Sequence, residues 1–251
     1  MSGHSKWSTI KRKKGVADAQ RGKIFTRLAR DIMMAAREGN NGDENTNAKL
    51  KLAVTKAKAS NMPKENIERA IQRGLGKLEG ETMEEGTYEG YGPEGVAFII
   101  DYMTDNKNRT LADVKRTLNR AGGALASAGS VAWQFEQKGF ISLAGENLDF
   151  DEVFMAAAEA GAEDVQNEDG VVIVYTPREL FGAVEQALTE AGYEIDESEL
   201  RWEAKNETSV SVDKALSNIR LLGELEDLDD VQSVASNLAM TDEVIAAYES
   251  D

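Results

Sequence analysis

Four consecutive cations near the amino terminus, Lys11, Arg12, Lys13 and Lys14, are the residues whose types and spacing point most directly to a ligand. Each can neutralise one phosphate of a polyanion, and Trp7 can stack on an unpaired base or a ribose. Because like charges this close repel one another, we expect this arm to be ordered only by a partner. The alternative is a solvated run of cations with Trp7 as a core anchor. Phosphate binding is favoured because the basic bias continues into the next element.

The charges of the chain divide at residue 77. Residues 1–77, the head, hold 18 Lys and Arg against 7 Asp and Glu, a net charge of +11. Residues 78–251, the body, hold 11 against 38, a net charge of −27, so the overall −16 averages two opposite parts. A split this steep indicates a polyanionic partner for the head without saying which polyanion it is. Nucleic acid repels the acidic body, whose surface is left for a protein partner.

The head reads as three short amphipathic helices. The first runs from about Asp18, a plausible N-cap, to Glu38, with Gly39 past its end. At about 100° per residue, its apolar face holds Phe25, Leu28, Ile32 and Ala36. Its opposite face holds a stripe of four cations, Lys23, Arg27, Arg30 and Arg37, at a spacing that suits phosphates.

Two further helices, from Asn47 to about Ser60 and from Pro63 to Gly74, complete a small bundle. Their predicted inward residues are Leu50, Ala53, Val54, Ala57, Ile67, Ala70 and Ile71. The bundle resembles a helix-turn-helix reader, but its basic residues outnumber any set placed for base edges. We therefore expect recognition of the nucleic-acid backbone more than of sequence.

The predicted nucleic-acid-binding residues are Lys6, Trp7, Lys11, Arg12, Lys13, Lys14, Arg21, Lys23, Arg27, Arg30, Arg37, Lys49, Lys56, Lys58, Arg69 and Arg73. One cation of the body, Arg109, lies between a predicted strand and a helix N-terminus, where anions bind well. It could contact a phosphate or a partner's carboxylate. A capped loop, with Asn108 or Asp105 as the cap, explains the same residues equally well.

The body alternates strands and helices after a stretch rich in Gly and Glu, residues 74–92, which we interpret as a linker and a turn. One set consists of strands at 96–103, 130–135, 209–212 and 230–236 and helices at 109–121 and 213–226. Within that set, residues 137–205 follow the order β-α-β-β-α-β of a ferredoxin-like unit. Trp133 and Trp202 fall in strand patterns and are expected in the cores.

The predicted fold class is therefore a multidomain α+β protein. An N-terminal three-helix domain, residues 1–77, precedes two ferredoxin-like α/β sandwich domains. One of them, residues 78–136 plus 206–251, is discontinuous because the other, residues 137–205, is inserted in it.

The composition argues against most catalytic chemistry. There is no Cys, and the single histidine, His4, lies in the arm, so a Ser-His-Asp triad and a zinc site of the usual kind are not expected. Gly74-Leu75-Gly76-Lys77 lacks the spacing of a phosphate loop and is interpreted as a helix stop and a hinge. Acidic clusters are interpreted as solvated surface, because dense carboxylates alone set no octahedral geometry. We expect no enzyme activity, no metal and no cofactor.

Nothing in the sequence indicates a membrane protein. The longest apolar runs, residues 96–100 and 171–175, are far too short to span a bilayer. The basic start lacks the apolar region of a secretory signal, and the absence of Cys fits a reducing compartment. These features fit a cytoplasmic protein without proving it, since a basic, Ser-bearing start could also imitate an organellar transit peptide.

Several segments together resemble one known family. They are Gly3-His4-Ser5-Lys6-Trp7, Ile10-Lys11, Arg21-Gly22-Lys23-Ile24-Phe25, Tyr88-Glu89-Gly90-Tyr91-Gly92-Pro93, Thr104-Asp105-Asn106-Lys107-Asn108-Arg109-Thr110 and Gly129-Ser130-Val131-Ala132-Trp133. In this combination the chain is similar, over nearly its whole length, to the YebC family, which includes the mitochondrial translational activator of cytochrome oxidase I. It departs from the family at Arg12, where His is common, and at Glu94, where Gly is frequent.

The resemblance implies a three-domain, non-catalytic, cytoplasmic regulator of gene expression. Members are commonly described as probable DNA-binding transcriptional regulators. The mitochondrial branch and some bacterial members are instead linked to translation and ribosomes, notably at proline-rich stretches. Duplex DNA and ribosomal RNA therefore both stay open as partners, while a nuclease has no residue constellation to support it. The sequence does not determine the oligomeric state.

Overall fold

The computed structural model describes residues 21–77, 84–145, 148–168 and 170–250. Its helices are α1 Arg21–Glu38, α2 Ala48–Ala59, α3 Lys64–Gly74, α4 Lys107–Arg120, α5 Phe150–Glu159, α6 Phe181–Glu190, α7 Val212–Glu226 and α8 Asp242–Ser250. Its strands are β1 Glu84–Tyr91, β2 Ala97–Thr104, β3 Ala124–Leu125, β4 Phe135–Ala144, β5 Asp164–Glu168, β6 Val171–Pro177, β7 Glu194–Ala204 and β8 Val231–Ser236. Short 3-10 helices lie at Pro93–Gly95, Ala132–Gln134 and Arg178–Leu180.

The head is a bundle of α1, α2 and α3 around one apolar core. Ile32, Ala36, Leu50 and Val54 are fully buried in it, and Phe25 packs against its edge. Asn47 begins α2 by accepting a hydrogen bond from the Leu50 amide, as its side-chain oxygen is free to cap the first turn. The periodicity predicted these three helices and their inward faces correctly, although Asp18 lies outside the described residues.

Gly74, interpreted from sequence as a stop and hinge, ends α3 and packs closely against α1. A Cβ at this position would overlap the carbonyl oxygen of Met33 and touch Ala36. The absence of a side chain therefore lets the two helices approach each other, which places the cations of α3 beside those of α1.

The first sheet of the body has the strand order β3-β1-β2-β8. One face carries α4 and α7, whose apolar residues surround Phe98 and Ile100 of β2. The alternate residues Ala97 and Ile99 face the other way and pack against the inserted sheet, where Trp202 is half-buried. The Trp202 indole also donates a hydrogen bond to Asp101 at 3.1 Å, so the two sheets are joined by polar and apolar contacts.

The second sheet has the order β5-β6-β4-β7, and all of its pairs are antiparallel. The first and third strands of its β-α-β-β-α-β sequence are therefore central, which is the ferredoxin-like arrangement. Helices α5 and α6 cover one face around Ile141 and Val174. The fold class is confirmed: a three-helix domain is followed by two α/β units, of which one interrupts the other.

The body differs from the sequence-based expectations in several places. The stretch interpreted as a linker contains β1, eight residues that pair with β2 along their whole length. Its glycines interrupt the alternating pattern by which a strand is recognised. In the structure, Tyr102 lies over Gly86 and Leu118 lies over Gly90, where the side chain of a larger residue would otherwise stand.

The strand expected at 130–135 is instead a loop and a 3-10 helix. The buried Glu89 carboxylate organises it by accepting hydrogen bonds from the amides of Gly129, Val131 and Ala132, at 2.5–2.9 Å. These bonds hold the pKa of Glu89 below its ordinary value although burial opposes them. In consequence Trp133 is 68% exposed, and its expected place in a core is wrong.

The strand expected at 209–212 is also absent from the described structure of that segment. Thr208 forms only an isolated bridge to Leu238, and Ser211 occupies the N-cap position of α7. The alternating apolar residues Val210 and Val212 pack against the edge of the core, but this segment does not join the sheet.

Replacing Gly74 with alanine tests the close approach of α3 and α1. We expect Gly74→Ala to lower the free energy of unfolding by about 1–3 kcal/mol, because the new methyl group meets backbone that must shift. Gly223→Ala in α7 is the control, since a Cβ there meets nothing within 4 Å and alanine favours a helix. Chemical denaturation should show a lower free energy of unfolding for Gly74→Ala and a higher one for Gly223→Ala. Equal destabilisation of the two variants would contradict the packing described.

Candidate nucleic-acid interface

The described head exposes cations on all three helices. Of the predicted residues, those with exposed side chains are Arg37, Lys49, Lys58, Arg69 and Arg73, and Lys56 is half-buried. Sequence reasoning did not include three further exposed cations, Lys51, Lys64 and Lys77. Lys51 lies seven residues before Lys58 and hence on the same side of α2, a spacing that could have identified it.

Several of these cations form exposed ion pairs. Lys49 lies 2.9 Å from Glu38, Lys58 lies 3.1 Å from Glu44, and Arg37 lies 2.7 Å from Glu85. Ion pairs at such exposed positions contribute little to stability and can be exchanged for contacts to phosphate. Ion pairing therefore leaves these cations accessible to a polyanion.

Other predicted residues cannot be placed. The arm residues Lys6, Trp7, Lys11, Arg12, Lys13 and Lys14 lie outside the described residues. Arg21, Lys23 and Arg27 belong to α1 by their backbone, while their side chains are likewise outside the description. Their roles in binding stay predictions.

The position of Arg30 contradicts the predicted stripe of exposed cations on α1. Its side chain is buried rather than exposed, and its Nη2 atom lies 2.8 Å from Oδ1 of Asp230, a residue 200 positions away. Burial lowers the pKa of its guanidinium, although the Asp230 charge opposes that shift. The prediction of an exposed Arg30 is wrong because this side of α1 faces the body and not solvent.

Asp230 joins the head to the body. Its Oδ1 accepts the bond from Arg30, and its Oδ2 accepts bonds from Arg109, Thr104 and Thr110 at 2.8–3.2 Å. We call Arg30, Arg109 and Asp230 the head–body joint. Hydrogen bonding to so many donors compensates the cost of burying the carboxylate.

The ionisation of Asp230 depends on the same contacts. Burial alone would raise its pKa, but the hydrogen bonds and the two guanidinium charges outweigh burial and hold the pKa below 3.8. A carboxyl group whose pKa falls on folding stabilises the folded state above its unfolded pKa. The stabilisation by Asp230 is therefore present at neutral pH and is lost as the pH falls from the ordinary pKa of an aspartate toward the lower pKa of the folded protein.

Arg109 is the body's contribution to the joint. Its Nη2 atom lies 2.8 Å from both Asp230 and Asp105, and these hydrogen bonds raise the pKa of its guanidinium. The cap of α4 is Asn106, whose Oδ1 accepts from the Arg109 amide at 3.1 Å. The expected caps Asn108 and Asp105 are wrong, because α4 begins two residues earlier than the pattern indicated.

The fold brings four of the predicted residues together. Arg30, Arg69 and Arg73 from the head and Arg109 from the body line one cleft between the two parts of the chain. Lys49 lies elsewhere, with its Nζ atom 5.7 Å from the centre of the Phe181 ring in the inserted unit. Within the described residues, no three or more His, Cys, Asp and Glu side chains are grouped to hold a metal ion. Across the same part of the chain, no helix is long and apolar enough to cross a membrane.

The structure consists of a cationic helical bundle joined to two acidic α/β units. The protein is therefore a multidomain α+β protein with a separate basic domain. Comparison with known proteins then gives the family. The description "TACO1/YebC protein N-terminal domain" matches residues 5–77, and "TACO1/YebC second and third domain" matches residues 83–238. The chain therefore belongs to the TACO1/YebC family.

Relatives are similar over their full length. A "Probable transcriptional regulatory protein" of Syntrophotalea carbinolica is 51% identical, with 98% of each chain covered. A protein of the same description from Roseiflexus castenholzii is 50% identical, with both chains covered completely. The crystal structure of a conserved hypothetical protein from Aquifex aeolicus matches with a TM-score of 0.81 and 41% identity, over 90% of this chain and 93% of that one.

Removing the Asp230 carboxylate tests the head–body joint. Asp230→Ala leaves the buried Arg30 without its ion pair, and we expect the free energy of unfolding to fall by about 3–5 kcal/mol. Asp229→Ala removes an equal charge from the exposed neighbour and should change it by less than about 0.5 kcal/mol. Denaturant titrations provide the comparison, and a similar loss in the two variants would show that the joint does not hold the parts together.

Proposed function

We propose that this protein is a non-enzymatic, cytoplasmic regulator of gene expression whose head, residues 1–77, binds the backbone of nucleic acid. The observation that carries the proposal is the exposed set of cations on the head beside a body with a net charge of −27. Opposite charges attract the head to a polyanion and repel the body from it. Only one side of the molecule can therefore approach the ligand.

Duplex DNA is the first candidate ligand. The relatives are named probable transcriptional regulatory proteins, which supports a role in transcription for this chain. The head offers many Lys and Arg side chains and few residues suited to reading base edges, so contacts to phosphates account for most of the affinity. Binding of this kind depends steeply on salt concentration.

The ribosome is the second candidate, and the charge division favours it specifically. A particle that combines structured RNA with basic protein surface suits both parts of this chain: the head meets RNA, and the acidic body meets protein. In this alternative the protein is a ribosome-associated translation factor that assists elongation at difficult, proline-rich stretches. Either role uses the same cations.

Neutralising the arm tests backbone binding. Changing Lys11, Arg12, Lys13 and Lys14 to Gln should weaken binding to mixed genomic duplex, and the slope of log K against log salt should flatten by about 0.9 for each phosphate that the variant no longer neutralises. A matched control changes four exposed cations of the body to Gln, namely Lys115, Arg116, Lys205 and Lys214. Fluorescence anisotropy over a salt series gives both slopes.

An unchanged slope in the arm variant, or an equal change in the control, would contradict the proposed role of the arm. The same titration with ribosomes as a competitor, at equal phosphate concentration, separates the two candidates. If ribosomes displace the labelled duplex much more effectively than unlabelled duplex does, the result would assign the protein to translation. The opposite order of competition would assign it to transcription.

A further inference from the structure

The cleft between head and body has a volume of about 370 Å³. Its walls come from α1 and α3 of the head and, across the joint, from the start of α4 and the residue before β8. Small-ligand pockets occupy about 300–1,000 Å³, so the cleft can hold a ligand of roughly nucleotide size. Surface cations can bind a polyanion without forming a cleft of this kind.

The charges of the cleft favour an anion. Four guanidinium groups line it, from Arg30, Arg69, Arg73 and Arg109, against two carboxylates. Both carboxylates are already occupied, since Asp105 pairs with Arg109 and Asp230 accepts bonds from both sides of the joint. The lining therefore holds two more guanidinium groups than carboxylates.

Arg30 shows the imbalance most directly. Its side chain is nine-tenths buried, yet among the residues that the structure describes it makes a single hydrogen bond, to Asp230. A guanidinium carries five N–H donors in a rigid fork. Because Arg30 lines the cleft, an oxyanion bound there could accept hydrogen bonds from donors that Asp230 does not use.

The remaining lining is mostly apolar, with Thr26 and Asn66 as its polar residues. Phe25, Ala29, Met33 and Met62 contribute to the same cleft, and Phe25 is only partly buried. A phosphate alone would leave this surface in contact with water. A base or a sugar attached to the phosphate would cover it and could stack on the Phe25 ring.

We propose that the cleft is a binding site for the phosphate of a single nucleotide, held between the arginines of the head and Arg109 of the body. The nucleotide is either free in solution or the phosphorylated end of a strand, because both present the same group. Contact with both parts of the chain would make the ligand strengthen the head–body joint. The site is separate from the arm, so it stands whether or not the head binds duplex.

The test uses the full chain and four probes. Isothermal titration with AMP and with adenosine reports free nucleotides, and anisotropy with 5′-phosphorylated and 5′-hydroxyl trinucleotides reports strand ends. We expect AMP or the phosphorylated trinucleotide to bind and its unphosphorylated counterpart to bind at least about tenfold more weakly, as charge-assisted hydrogen bonds to phosphate are lost. Which of the two binds identifies the source of the phosphate.

The variant R69Q/R73Q should reduce this binding at least about tenfold, because two exposed cleft arginines no longer reach the phosphate. The control K115Q/K214Q removes the same charge from exposed positions of the body that do not line the cleft and should bind as the unaltered chain does. Failure of all four probes to bind, or equal loss in both variants, would overturn the proposal. Both variants alter exposed residues, and matching thermal unfolding curves would establish that they fold.

Discussion

One buried carboxylate, that of Asp230, bonds to both the head and the body. Asp230 lies just before the last strand of the first sheet, and it receives Arg30 from the head and Arg109 from the body. Without it, the guanidinium of Arg30 would be buried with no described ion-pair partner, which is costly. Asp230 also lines the cleft, between Arg30 on the head side and Arg109 on the body side.

Much of the fold could be predicted from apolar periodicity, and the failures have identifiable physical causes. Helices α1 to α3 and the ferredoxin-like unit follow their patterns, because each buries one face of its own residues. The pattern of strand β1 could not be recognised, because Gly86 and Gly90 have no side chains and are covered by side chains from elsewhere in the chain. Trp133 resembled a core residue, because no local sequence pattern shows that Glu89 binds the amides of its loop and leaves its side chain exposed.

The candidate site was predictable in composition but not in geometry. The sequence identified the basic residues of the head, and Arg69 and Arg73 are indeed exposed. It could not identify Arg30 as buried, because that depends on a partner 200 residues away, nor that Arg109 would meet it there. Helical periodicity distinguishes the face toward the bundle from the opposite face. It does not distinguish solvent from a second domain.

The central claim is that the head, and not the acidic body, contacts nucleic acid. Lysine-reactivity footprinting with mass spectrometry tests it most directly, because exposed lysines occur on both parts of the chain. With saturating duplex or ribosomes, the account predicts reduced labelling of Lys51 and Lys58 and unchanged labelling of Lys115 and Lys214. Protection of the body lysines with the head lysines unchanged would contradict it.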